Sequence, residues 1–196
     1  FVGISNPITV SISNATSGQS RGSSTIPVNV SPGSSYNQEI SVRVSLPNGA
    51  LNTLLFSDKT LEFSVQIGGS YANFPFSIQR TASYEWGAPV KSLTFGKFTA
   101  QPLNATKLQF TLPFNFTNNS PFLALSGSIT GVVLDQSGNQ VGSVNSLQVS
   151  AAKQSLFSGQ LTGLLNVSSA SQDTFILKLT FQASFGTVVK EYTINA

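Results

Sequence analysis

The chain has 196 residues, 40% of them hydrophobic, and a formal charge of +3 from 10 basic and 7 acidic side chains. Charged residues make up only 9%, against about 25% in an average soluble domain. Cys, His and Met are absent, which excludes a Ser-His-Asp triad, a Cys nucleophile, a Cys/His zinc site and a disulfide scaffold. The basic residues are scattered from Arg21 to Lys190 and form no nucleic-acid footprint. No apolar run reaches the 18 or more residues of a membrane span.

A first residue Phe1 without any Met leads us to expect a secreted chain from which a signal peptide has been removed. Acid unfolds proteins largely by protonating carboxylates that are paired in the native state. A chain with few carboxylates and no His has little to lose that way, which suits an acid-exposed surface.

In chain order, Ile4, Ile8, Val10 and Ile12 lie on alternate positions with Thr9, Ser11 and Ser13 between them, as in a strand with one apolar face. Residues 14–24 are polar and rich in Gly and Ser, a linker composition. Alternation returns at Ile40–Leu46, Leu61–Ile67, Phe74–Ile78, Leu108–Phe116 and Phe175–Phe181. Each run predicts a half-buried antiparallel strand. Pro47-Asn48-Gly49, Gly68-Gly69, Ser137-Gly138-Asn139 and Phe185-Gly186 read as turns. Val132–Leu134 and Gln140–Val144 predict a hairpin around Asp135. No segment longer than ten residues has a convincing helical period. Many short strands and frequent turns predict an all-β sandwich with Greek-key or immunoglobulin-like connectivity.

Catalytic readings fare poorly. Asp58 and Glu62 are the only closely spaced acids and read as solvated residues flanking a strand. Asp135 with Asn139 would make a poor calcium site, with one charged ligand. Lys178 with Glu191 could be tested for an isopeptide bond, but alternation places Lys178 on the polar face. Trp86 beside Tyr84 could stack a sugar, although a core or rim position is the plainer reading. We expect no enzyme, no metal and no cofactor. Six Asn-x-Ser/Thr sequons, at Asn14, Asn29, Asn104, Asn115, Asn118 and Asn166, are expected acceptors for N-linked glycans. Asn115, between Phe114 and Phe116, should point outward.

The N-terminal strand could pair within its own chain or be donated to another copy, adding a ladder to an open sheet edge. A donated strand whose contact does not close on itself generates a filament.

The strand with Ile8, Val10 and Ile12, the polar stretch behind it, the Phe-rich β body, and the low-charge composition with its sequons resemble the subunit of archaeal thread filaments. These are glycosylated extracellular pili of thermoacidophilic archaea with a type I pilin-like architecture. The resemblance covers the whole chain in character. It implies a pilin-like β-sandwich with a donor strand over 1–13, a flexible linker over 14–24 and a body over 25–196. It further implies a structural subunit that assembles head-to-tail with identical subunits, extracellularly, with a role in adhesion to surface glycans or other cells. Ile4, Ile8, Val10 and Ile12 would anchor the donated strand. The competing expectation is a monomeric cell-surface adhesin or carbohydrate-binding domain centred on Trp86.

Overall fold

Strand-favouring Val, Ile, Phe and Thr alternate with small polar residues over most of the chain, and the fold is correspondingly almost all β. The computed structural model describes residues 4–31, 33–45, 47, 49–71, 74–169 and 173–195, with side chains from residue 7 onward. Among these residues twelve strands run in order: β1 (Ile4–Asn14), β2 (Ser20–Val30), β3 (Lys59–Tyr71), β4 (Phe74–Trp86), β5 (Lys91–Phe95), β6 (Thr99–Pro102), β7 (Lys107–Asn118), β8 (Leu125–Leu134), β9 (Gln140–Ala151), β10 (Ser155–Asn166), β11 (Thr174–Ala183) and β12 (Gly186–Asn195). A short α-helix, α1 (Ala50–Phe56), precedes β3, and a 3-10 turn, Val167–Ser169, follows β10.

The chain divides into two units, 1–48 with 60–85 and 49–59 with 86–196. The expected division into a strand, a linker and one body from residue 25 is therefore redrawn: residues 25–45 and 60–85 belong with the N-terminal strand.

The first unit is a four-stranded antiparallel sheet in the order β2-β1-β3-β4. The stretch expected as a flexible linker is a tight turn followed by β2. The Asn14 carboxamide oxygen accepts the Thr16 and Ser17 N–H groups at 3.0 and 2.7 Å. Gly18 supplies the positive φ of 68° that the loop requires. Ser20–Ser24 then pair with β1. Polar composition was misleading here because an Asx turn is built from the same residues as a linker. Gly68 and Gly69, expected as a turn, lie inside β3, where the Phe76 ring would come within 3.0 Å of a Cβ at Gly69. The alternating run Ile40–Val44 forms no strand. Among the described residues it meets β2 through the backbone bond from Ser45 N–H to the Arg21 carbonyl, too little for a ladder; Leu46 lies outside the described residues.

The second unit holds the core. Its eight-stranded sheet has the order β12-β11-β8-β9-β10-β7-β5, with β6 also on β7. Strands β8 to β11 lie in the order β11-β8-β9-β10, the fourth beside the first, which is a Greek key. The sheet folds over on itself. Phe98, after β5, stacks on Phe110 of β7 and tilts onto Phe175 of β11. Phe95 of β5 meets the Tyr192 ring of β12 edge-on. The faces so brought together form an all-β sandwich around Phe110, Leu112, Phe116, Leu161, Leu177 and Leu179, all but inaccessible to solvent.

Both phenylalanine- and leucine-rich runs, 108–116 and 175–181, fall on β7 and β11 as expected. The 132–144 hairpin forms from β8 and β9, its turn closed by Asp135 Oδ1 on the Ser137 and Asn139 N–H groups. Helix α1 was not anticipated. Its signal was Leu51, Leu54 and Leu55 at i, i+3 and i+4, a single turn too short to register as a period. Among the described residues no helix is long and apolar enough to cross a membrane.

Candidate functional site

Strand β1 is central in its sheet, antiparallel to β2 on one side and β3 on the other. Ile8 faces Ile26, Val10 faces Ser24 and Ile67, and Ile12 faces Gly22 and Val65. Two ladders hold the strand, so most of its backbone groups are satisfied whether or not its side chains are covered. Coverage is in fact thin. Val10 is 5% exposed, whereas Ile8 and Ile12 are only half-buried. Ile4 is placed by its backbone opposite Val30.

On β2 Val28 is buried at 4% exposure, but elsewhere the sheet is less covered. On β3, Leu61, Phe63, Val65 and Ile67 are all half-buried, and the buried residue is the polar Ser64, whose hydroxyl accepts the Gln79 amide N–H at 2.7 Å. On β4, expected to present Phe74, Phe76 and Ile78 to a core, Phe74 is 75% and Ile78 53% exposed. A sheet normally buries one face against a second layer. This one carries the apolar pattern for it, yet within its own unit much of that face is left uncovered.

The sequons occupy different environments. Asn29 and Asn115 are exposed on strands, the latter flanked by buried Phe114 and Phe116 as expected. Asn14 is half-buried at the β1–β2 turn, and Asn166 accepts the Lys107 ammonium at 2.7 Å. Asn104 is exposed in the β6–β7 loop, its Oδ1 accepting Thr106 N–H, Thr106 hydroxyl and Lys107 N–H at 2.9, 3.1 and 2.9 Å. Asn118 is 0% exposed. Its amide donates to the carbonyls of Leu123 and Ala152 at 2.9 Å and of Ala151 at 3.3 Å, and its Oδ1 accepts Ser120 N–H at 3.1 Å.

The candidate chemical groups are committed to structure. Asp58 pairs with Lys91, accepts Ala88 N–H, and accepts the Asn119 amide. Asp135 turns both oxygens onto its own loop, where the Asn139 side chain and backbone hold its carboxyl below the usual range. Lys178 and Glu191 are cross-strand partners, 3.0 Å apart and well exposed. The Trp86 indole N–H is spent on the Leu54 carbonyl at 2.7 Å. Among the described residues no group of three or more acids could hold a metal ion. Sequence reasoning missed Asn118 as a structural residue, because its sequon was its only visible feature.

No protein-family model and no curated protein matches this chain.

Proposed function

We propose that this protein is a structural subunit of an extracellular filament, assembled head-to-tail as each copy passes β1 to the next. It has no catalytic role and binds no cofactor, and it serves adhesion. The observation that carries this reading is the single-layer sheet of the first unit, with β1 at its centre and its apolar side chains poorly covered. The second unit has its own core and does not depend on β1 for it.

The acceptor would be the slot between β2 and β3 of the neighbour. An incoming β1 would rebuild there the same two ladders, a strand exchange that costs little because the contacts are the same. The hinge would be the turn at Asn14–Gln19, opened together with the polar, partly exposed start of β2. Exchange alone is nearly neutral, so the driving force would come from covering residues such as Phe74 and Ile78 at the new contact. Each contributes about 1.5–3 kcal/mol if fully buried. With low charge on the surface, glycans on exposed sequons would supply hydration.

The test is negative-stain electron microscopy of protein sheared from its source cells, beside a chain lacking residues 1–13. Filaments from the full chain and none from the truncation support the reading. Dispersed monomers from both would replace it with a monomeric adhesin.

A further inference from the structure

We propose that Asn104, in Asn-Ala-Thr, is the preferred N-glycan carrier of this chain, and that Asn118, in Asn-Asn-Ser, is not modified because its carboxamide is a structural clasp. The inference rests on the extracellular reading above.

Attachment joins Asn Nδ2 to the anomeric carbon of a polyprenyl-phosphate-linked oligosaccharide. The new N–C bond replaces the sugar's C–O bond to phosphate. One Nδ2 proton passes to a base of the transferase, and the lipid phosphate leaves. The acceptor must therefore present Nδ2 to solvent, with a hydrogen to lose and with the hydroxyl of the third sequon residue nearby.

Asn104 meets each requirement. It is exposed, and three donors from Thr106 and Lys107 hold its Oδ1 against the turn. The Nδ2 end is left without a partner among the described residues. One of those donors is the Thr106 hydroxyl, so the turn has already brought the sequon's two chemical groups together at 3.1 Å. At Asn14 the corresponding bond comes from Ser17, not from the sequon's Thr16.

Asn118 fails on each count. It has no exposed surface, and its two Nδ2 hydrogens are shared among three backbone carbonyls. The sequon's Ser120 is itself buried, with its Oγ accepting the Phe122 and Leu123 N–H groups at 3.3 and 3.0 Å. A sugar on Asn118 would remove one clasp hydrogen and require space that β7, β9 and the 119–124 loop fill.

Glycopeptide mass spectrometry of the protein secreted by its source cells tests this. Electron-transfer fragmentation is needed to separate Asn115 from Asn118. The expected result is a glycan on Asn104 in most copies and none on Asn118. Thr106→Ala should lose one glycan mass, and Thr106→Ser should keep it. Sugar on Asn118, or a bare Asn104 beside other occupied sequons, overturns the inference while leaving the extracellular reading standing. A chain without glycan at any sequon overturns the inference and removes the glycan part of that reading. Filament microscopy then judges the assembly separately.

Discussion

The Asn119 side-chain amide donates a 2.8 Å hydrogen bond to Asp58 across 61 positions of sequence. With Ala88 N–H and Lys91 on the same carboxylate, Asp58 ties the segment after α1 to the β4–β5 connection and to the end of β7. Desolvation pulls its pKa upward, but the bonds from Ala88, Lys91 and Asn119 outweigh it and hold the carboxyl below its usual range. A depressed folded pKa contributes stability that is complete above the unfolded value of about 3.9 and is lost as pH falls through the folded value. The pair is a third or more exposed, so screening limits its worth to about 1 kcal/mol. Asp58→Ala should lower the melting temperature at pH 7 by about 3 °C, and the gap to the parent should narrow at a pH well below the unfolded value of about 3.9. Thermal melts at both pH values check this; a gap independent of pH would show that the charge is not what matters.

Asn118 closes the end of β7 with an amide that three carbonyls share. Removing it leaves those carbonyls buried without a donor, at about 1–3 kcal/mol. Asn118→Ala should therefore destabilise by about 3 kcal/mol in urea titration. Asn118→Asp should be worse at pH 7, since it sets an anion against three acceptors, and should recover partly in acid as the carboxyl gains a proton.

Gly163 on β10 has no room for a side chain. A Cβ there would lie 2.0 Å from the Ser143 carbonyl oxygen and 2.5 Å from the Phe110 ring. Gly163→Ala should cost about 3 kcal/mol through overpacking. Gly138, at φ +85° in the β8–β9 turn with nothing near its Cβ, should cost only the backbone strain of about 1 kcal/mol on the same change. Equal losses in paired denaturation curves would contradict the packing described for β7, β9 and β10.

Val10→Asp puts a charge at the best-covered position of β1, and Phe74→Ser removes an exposed ring of β4. Both should leave the second unit folded, because its core contains neither residue. Val10→Asp should abolish filaments. Phe74→Ser should raise the concentration needed to form them at least tenfold, the equivalent of about 1.4 kcal/mol, without lowering the melting temperature. Polymers of Val10→Asp indistinguishable from the parent's would rule out β1 as the assembling strand.

Strand type was readable wherever apolar residues alternated and the partner layer existed, as for Phe110–Phe116 and Phe175–Phe181. The same pattern over Phe74–Ile78 gave the right strand and the wrong burial. Alternation states that a face is suited to being covered, not that anything within the chain covers it. Ile40–Val44 alternates as well, yet forms no strand. The turn at Asn14 was hidden for the opposite reason: a polar side chain that closes on its own backbone looks in sequence like one left to water.

The sequence alone determined that the chain is β-rich, low in charge and without His, Cys or Met. These follow from residue type and period two, which are local properties. Tertiary structure alone decided that β1 lies between β2 and β3, that Asp58 reaches Asn119, and that the sequon asparagines Asn104 and Asn118 have opposite environments. Those outcomes depend on which segments, far apart in the chain, lie beside each residue. No local pattern carries that information.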